Sequence, residues 1–393
     1  MPSGRSDELR SAVREWCATH IPPDWRVSQR GATRAEFVAF QQDWLRRLDD
    51  AGWAVPHWPA AWGGGGHSPA EQSVIYEELA RAGAPRLVLH FVSLHHAAAT
   101  LLHAGTEAQR RRHLPAIRAG EVWCQGFSEP GAGSDLAALT TRAERHGDHY
   151  LVNGQKTWSS LAMYADWCLL LVRTDPTAPK RKGISYLLMD MRSPGVDVRP
   201  IRQATGEEHF CEIFLTDVRI PTENLIGPEH DGWRVAQATL AAERSATMVE
   251  LVERLSVGFG WLWEQLHADR RRPDALARDR LAGLATRLRA LRLLVARGLS
   301  DNLPADSSAV LASVTKLVYS ELLQDLTGFG VSVSGPAGQI DTPRAASGGW
   351  ESGAWLLDYI ASWEWTIPGG TSEIQRNIIG ERGLGLPREP RPA

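Results

Sequence analysis

The sequence lacks three features that would each assign the protein to a broad class. Its 393 residues include only 4 cysteines, which are scattered and show no Cys-x-x-Cys spacing. This argues against a disulfide framework or a zinc site and favours a reducing cytoplasm. The formal net charge is −3, so there is no basic field to attract nucleic acid. No segment has the apolar length of a membrane span, and the polar start is unlike a signal peptide. We expect a soluble cytoplasmic protein with a small-molecule partner.

The periodicity of apolar residues changes twice along the chain. It is helical from Ser6 to about Gly120, with a capping box at Thr106-Glu-Ala-Gln109. Extended runs follow from Glu121, and helical periodicity returns after Gly232. We expect an α+β multidomain fold with an N-terminal helical domain (1–120), a middle antiparallel β domain (121–230) and a C-terminal helical bundle (231–393).

Two segments of the predicted β domain combine glycine, hydroxyl and aromatic side chains. Residues 124–135 read Cys-Gln-Gly-Phe-Ser-Glu-Pro-Gly-Ala-Gly-Ser-Asp, and their glycines allow a close approach of the backbone to a ligand. Residues 153–160 read Asn-Gly-Gln-Lys-Thr-Trp-Ser-Ser, which predicts an Asn-Gly turn and a strand ending at Trp158. An exposed tryptophan there could stack on a planar heteroaromatic ring, whereas a core tryptophan is the alternative interpretation.

A third segment, near the end of the chain, joins a bare backbone to a helix. Pro368-Gly-Gly leaves main-chain N–H groups unshielded, and Thr371 or Ser372 can serve as the N-cap of the following helix. Such a helix start suits a phosphate or an oxyanion. The alternative is an ordinary surface turn that leads into a packed helix.

Taken together, these segments resemble the acyl-CoA dehydrogenase family of flavoproteins. The resemblance is strong over 121–244 and 366–387, extends in weaker form to the first third of the chain, and is poor between about 250 and 350. The matching motifs are Ser-Glu-Pro-Gly-Ala-Gly-Ser-Asp at 128–135, Asn-Gly-Gln-Lys-Thr-Trp at 153–158, Asp-Val-Arg-Ile-Pro-Thr-Glu-Asn-Leu-Ile-Gly at 217–227, Glu243-Arg244, and Gly-Gly-Thr-Ser-Glu-Ile-Gln-Arg-Asn at 369–377.

The resemblance implies FAD bound between the middle and C-terminal domains. Trp158 would flank the isoalloxazine ring, and Ser160 would hydrogen-bond near its N5 atom. Thr371 and Glu373 would reach FAD from the closing segment, although helix capping alone could account for both residues. Ser134 and Arg244 would also contact the substrate. The remaining flavin-binding residues implied by the resemblance are Gln125, Phe127, Ser128, Gly133 and Ser134.

The family reaction requires a carboxylate base, because the α-proton of an acyl thioester leaves as the β-hydride passes to flavin, giving the trans-2-enoyl thioester. Many relatives place this glutamate where Gly369 stands, and glycine cannot be the base. Relatives that act on long or branched chains carry it immediately before an arginine in the first C-terminal helix. The resemblance therefore points to Glu243 as the base, the alternative being a solvated helix carboxylate. Gly369 would keep one catalytic role, in which its main-chain N–H polarises the thioester carbonyl.

The chain departs from the homotetrameric members in the segments that reach a neighbour's FAD. Where those members carry Arg-x-x-Phe-Gly and Gln-x-x-Gly-Gly, this chain has His267-Ala-Asp-Arg and Ser332-Val-Ser-Gly. This departure resembles one subunit of the actinobacterial sterol-side-chain dehydrogenases, which form two-plus-two heterotetramers. A second dehydrogenase subunit and a homo-oligomer both remain open.

Two other functions stay compatible with the same residues. A flavin-dependent oxidase or monooxygenase would share the fold, and a partner-dependent or non-catalytic flavin-binding subunit would share the binding loops. For a dehydrogenase, the expected electron acceptor is an electron-transfer flavoprotein. Neither the acyl group nor the choice between coenzyme A and carrier-protein thioesters follows from the sequence.

Overall fold

The computed structural model of the chain describes residues 3–242, 247–268, 274–299, 304–340 and 354–388. The chain forms two compact units that do not follow its order. One contains Met1–Glu36, His67–Pro85 and Arg244–Ala393, and the other contains Phe37–Gly66 and Arg86–Glu243. The domain boundaries expected near residues 120 and 230 stay predictions.

The second unit is built on a seven-stranded sheet, as the change to extended periodicity predicts. Its strands follow the order β1-β4-β2-β3-β7-β6, and β5 pairs with β4. Most pairs are antiparallel, but β4 runs parallel to both β1 and β2. The bounds are β1 Trp123–Gly126, β2 Arg142–His146, β3 His149–Ser160, β4 Trp167–Arg173, β5 Ile184–Asp190, β6 Val196–Ile201 and β7 Phe210–Pro221.

The prediction of a turn at Asn153-Gly154 is wrong. These residues lie inside β3, where a register shift against β7 accommodates them, and Asn153 bonds both the main chain and the carboxylate of Asp217. The hairpin turns instead between His146 and His149, through Gly147 with a φ of 62° and Asp148. Both dipeptides suit a turn, and the pairing of the flanking strands selects the earlier one. The strand that ends near Trp158 is consequently one long element.

Helices complete this unit. They are α3 (Arg34–Asp50), α5 (Ala98–Ala104), α6 (Glu107–Arg118) and α7 (Gly232–Ala242). The first turn of α3 precedes Phe37, where this part of the unit begins, and a π-helical turn at Val92–Ala97 precedes α5. The predicted capping box of α6 is confirmed, since Thr106 and Gln109 bond each other's main-chain N–H groups. The core of this unit contains buried apolar side chains from several strands, including Val152, Leu170, Met189 and Ile213.

The first unit is helical. Its elements are α1 (Ser3–His20), α2 (Trp25–Gln29), α4 (Pro69–Arg81), α8 (Thr247–Ala268), α9 (Ala275–Gly298), α10 (Ala305–Val333), α11 (Trp355–Ser362) and α12 (Ser372–Ile378). Leucines from α8, α9 and α10 fill its core together with Tyr319 and Phe329. Within the described residues, no helix combines the length and apolarity needed to cross a bilayer.

Candidate functional site

A buried ion pair anchors the glycine-rich loop that follows β1. Lys156 is 0% exposed, and its Nζ donates to Glu129 at 2.8 Å and to the carbonyl oxygen of Phe127 at 3.2 Å. Glu129 also accepts from the main-chain N–H groups of Thr140 and Thr141 at 2.7 and 2.9 Å. The loop is therefore fixed at its base by a carboxylate with four close donors, counting the Thr140 hydroxyl.

Burial and pairing have opposite effects on the pKa values of Glu129 and Lys156. Burial alone would raise the pKa of the Glu129 carboxyl, but the Lys156 ammonium and the threonine donors outweigh it and lower that pKa to about 2. Burial lowers the pKa of the Lys156 ammonium, although Glu129 opposes that shift. Glu129 is thus an anion throughout the physiological range.

Beyond this anchor, the loop presents an open backbone. An added Cβ at Gly131 or Gly133 would meet no atom within 4 Å, and Ser134 is exposed. By contrast, Phe127 is buried and packs edge-on against Tyr186, with ring centroids 5.7 Å apart. The loop therefore combines a packed root with a tip that leaves room for a ligand.

Trp158 lies at a bulge near the end of β3. The register against β7 shifts between Lys156 and Ser159, and Trp158 takes a φ of 61°, a conformation rare for a bulky residue. Its side chain is 59% exposed and contacts Phe210 edge-on. The alternative of a core tryptophan does not hold in this structure, and the strained backbone turns the indole outward.

The closing segment has the predicted cap and a rigid glycine turn. The Thr371 hydroxyl accepts from the N–H of Ile374 at 3.3 Å, so Thr371 is the N-cap of α12. Gly369 and Gly370 have φ angles of 65° and 98°. The carbonyl oxygen of Gly370 accepts from Lys316 Nζ at 2.9 Å. Glu373 is exposed, and its own N–H group and the Thr371 hydroxyl lower its pKa.

Sequence reasoning missed the residues that support these segments. It named neither Glu129 and Lys156, which hold the loop, nor Lys316, which binds the closing turn. Lys156 lies within the quoted Asn-Gly-Gln-Lys-Thr-Trp motif, so its fixed place beside Trp158 was a usable signal. Lys316 is the one charged residue between positions 310 and 320 of the sequence. Glu243 and Arg244 lie outside the described residues, so their roles stay predictions.

The residues of the β unit fit a flavin. The Nε2 atom of Gln125 and the Oγ atom of Ser159 are buried without a hydrogen-bond partner among the described residues. An uncompensated buried polar group is costly, which favours a ligand or water at each atom. The open glycines and the exposed indole add space and a planar surface. No group of metal-ligating side chains occurs in the part of the chain that the structure describes.

Family models match nearly the whole chain. They describe the N-terminal, middle and C-terminal domains of acyl-CoA dehydrogenase and match residues 4–121, 124–218 and 230–384. Acyl-CoA dehydrogenase IpdE1 of Mycobacterium tuberculosis is 39% identical over 387 residues, which is 98% of each chain.

Solved structures agree in sequence and fold. A chain of the Tcur3481-Tcur3483 steroid ACAD is 30% identical, with a TM-score of 0.85 and coverage of 99% of both chains. A chain of the ChsE4-ChsE5 complex from Mycobacterium tuberculosis is 32% identical, with a TM-score of 0.83 and the same coverage. The expected fold and cofactor are confirmed: the chain belongs to the acyl-CoA dehydrogenase family of FAD-dependent oxidoreductases.

Proposed function

We propose that this chain converts a steroid-derived acyl-CoA thioester to its trans-2-enoyl thioester, with Glu243 as the base. The steroid assignment is supported by the similarity in fold and sequence to the Tcur3481-Tcur3483 steroid ACAD. The observation that carries the choice of base is Gly369, which has no side chain where many relatives place a glutamate. Glu373, a nearby described carboxylate, is a poor substitute because it is exposed to water, whereas burial is what raises the pKa of a carboxyl toward the working range of a base.

The proposed roles divide between binding and proton transfer. Glu243 removes the α-proton, Gly369 donates its N–H to the thioester carbonyl, and Ser134 and Arg244 contact the substrate. FAD held by the residues below would supply the acceptor for the β-hydride, and the proposed partner for reoxidation is an electron-transfer flavoprotein. The proposed flavin-binding residues are Gln125, Phe127, Ser128, Gly133, Ser134, Trp158, Ser160, Thr371 and Glu373.

The test uses enzyme loaded with FAD, co-expressed with a second dehydrogenase subunit if the chain alone does not hold the cofactor. It measures anaerobic bleaching of the flavin by a panel of straight-chain, branched, alicyclic and steroid-derived acyl-CoAs. We expect Glu243→Gln to retain FAD and to lose bleaching by at least about a thousandfold, because the amide cannot accept the α-proton. Glu264→Gln is the matched control, since Glu264 is an exposed carboxylate of α8. Bleaching at the normal rate by Glu243→Gln would refute the base. Rapid reoxidation of the reduced wild type by oxygen would favour an oxidase.

A further inference from the structure

The ammonium group of Lys316 donates a hydrogen bond to a main-chain carbonyl. Lys316 lies on α10 in the otherwise uncharged stretch 310–320, and its Nζ donates to the carbonyl oxygen of Gly370 at 2.9 Å. Within the described residues it forms no ion pair. Burial lowers the pKa of its ammonium to about 8, and the charge of Glu373 opposes that shift. A partly buried cation without a salt bridge is costly, so its placement calls for an explanation beyond packing.

Gln375 supports the same turn from α12. It is fully buried, and its Nε2 donates to the carbonyl oxygens of Gly369 at 2.8 Å and Gly370 at 3.1 Å. A Cβ on Gly370 would lie 2.7 Å from that nitrogen. Both carbonyls of the turn are therefore held from one side, and a side chain at Gly370 would displace the amide that holds them.

Fixing a carbonyl also fixes the N–H group across the same peptide bond. The peptide unit is planar and trans, so its C=O and N–H groups point in opposite directions. Held carbonyls at Gly369 and Gly370 thus fix the directions of the N–H groups of Gly370 and Thr371. A cation bound to the Gly370 carbonyl also polarises its peptide, which strengthens the N–H on the opposite side as a donor.

We propose that Lys316 is a positioning residue for recognition of the thioester carbonyl. With Gln375, it holds the Gly369-Gly370 turn in place, so that the N–H of Gly369 at the start of the turn stays in position to donate to the carbonyl oxygen and to stabilise the negative charge that develops there. This inference rests on the proposed function. Lys316 itself touches neither the substrate nor FAD in this role and acts through the turn.

The experiment compares two ligands that differ by the carbonyl oxygen. The first is the acyl-CoA that bleaches the wild-type flavin fastest, bound to enzyme that also carries Glu243→Gln to block turnover. The second is the S-alkyl-CoA thioether with the same carbon skeleton. Affinities are read from the change in flavin absorbance. We expect Lys316→Met to weaken the thioester about tenfold, the usual effect of losing a charged hydrogen bond, and to leave the thioether within about twofold. Lys316→Arg, which keeps the charge, should recover part of the loss.

A control separates this effect from loss of charge or of folding. Arg376→Met removes a positive charge from α12 that pairs with Glu321 and Glu373 rather than with the turn, and it should affect both ligands alike. FAD content and melting temperature are measured for every variant. Equal loss of both affinities in Lys316→Met, or no loss, would overturn the inference. If none of the acyl-CoAs bleaches the wild type, the proposed function itself has failed, and the inference fails with it.

Discussion

At the scale of single residues, a buried ion pair between Glu129 and Lys156 fixes the position of the glycine-rich loop. Glu129 and Lys156 are 6% and 0% exposed, and their partners lie on the loop and on β3. Such a pair contributes little net stability relative to an apolar pair, but removing one partner leaves an unpaired buried charge. Its effect is therefore to fix the main chain beside Trp158, which is a matter of geometry more than of stability.

Lys156→Met should lower the free energy of unfolding by about 3 kcal/mol at pH 7, because Glu129 then keeps its charge without the ammonium. The folded pKa of Glu129, about 2, lies below its ordinary value of 4.5. The stability from this pair is thus complete above pH 4.5 and is lost as the pH falls toward 2. Urea denaturation at about pH 7 and about pH 3 should show a smaller difference between wild type and variant at the lower pH.

Lys180→Met is the matched control for this prediction. Lys180 pairs with Asp135 at 2.6 Å in the same region, but both side chains are exposed. Exposed pairs contribute less than about 1 kcal/mol, so this variant should unfold almost as the wild type does. A similar loss in the two lysine variants would mean that burial of the Glu129 pair is not what matters.

At the scale of elements, a local motif correctly predicted where α6 begins, whereas another predicted a turn that the chain does not form. The capping box that begins α6 is present as predicted, and the side chain of Gln109 additionally donates to the carbonyls of Glu223 and Leu225. The same box therefore caps a helix and ties it to the segment after β7. In contrast, Asn153-Gly154 has turn chemistry but forms part of a strand.

Thr106→Ala should lower the free energy of unfolding by about 1 kcal/mol, because the N–H of Gln109 loses its cap. The measurement is a chemical denaturation midpoint at neutral pH. Thr286→Ala provides the comparison, since the Thr286 hydroxyl bonds only the preceding turn on the exposed side of α9. That change should stay within about 0.5 kcal/mol. An equal effect of both substitutions would argue against the capping box as a stabilising element.

At the scale of the whole molecule, the comparisons bear on how many kinds of chain complete the flavin site. Two structurally similar proteins, Tcur3481-Tcur3483 and ChsE4-ChsE5, are each named for two components. Residues 267–270 of this chain read His-Ala-Asp-Arg, where the resemblance described above leads one to expect Arg-x-x-Phe-Gly. We therefore propose that a second dehydrogenase subunit contributes to FAD binding.

If so, the chain expressed alone should hold well under one FAD per protomer. Co-expression with a second acyl-CoA dehydrogenase subunit from the same organism should restore full occupancy, because the missing contacts come from the partner. Absorbance of released flavin against protein concentration gives the ratio, and light scattering gives the mass of the assembly. Full occupancy in the isolated chain would remove the need for a partner.

The sequence by itself determined the fold class and the family, and it indicated the loops that we propose to bind FAD. Local motifs carry that information, since Ser128 to Asp135 and Thr371 act through their own backbone and neighbours. Tertiary structure decided which polar residues support those loops. Glu129 meets Lys156 across 27 positions and Lys316 meets Gly370 across 54. No local period encodes such pairs, because strand pairing and helix packing alone bring them together. Strand pairing also explains why the turn lies at Gly147-Asp148 and not at Asn153-Gly154, because pairing with neighbouring strands overrides the local turn preference.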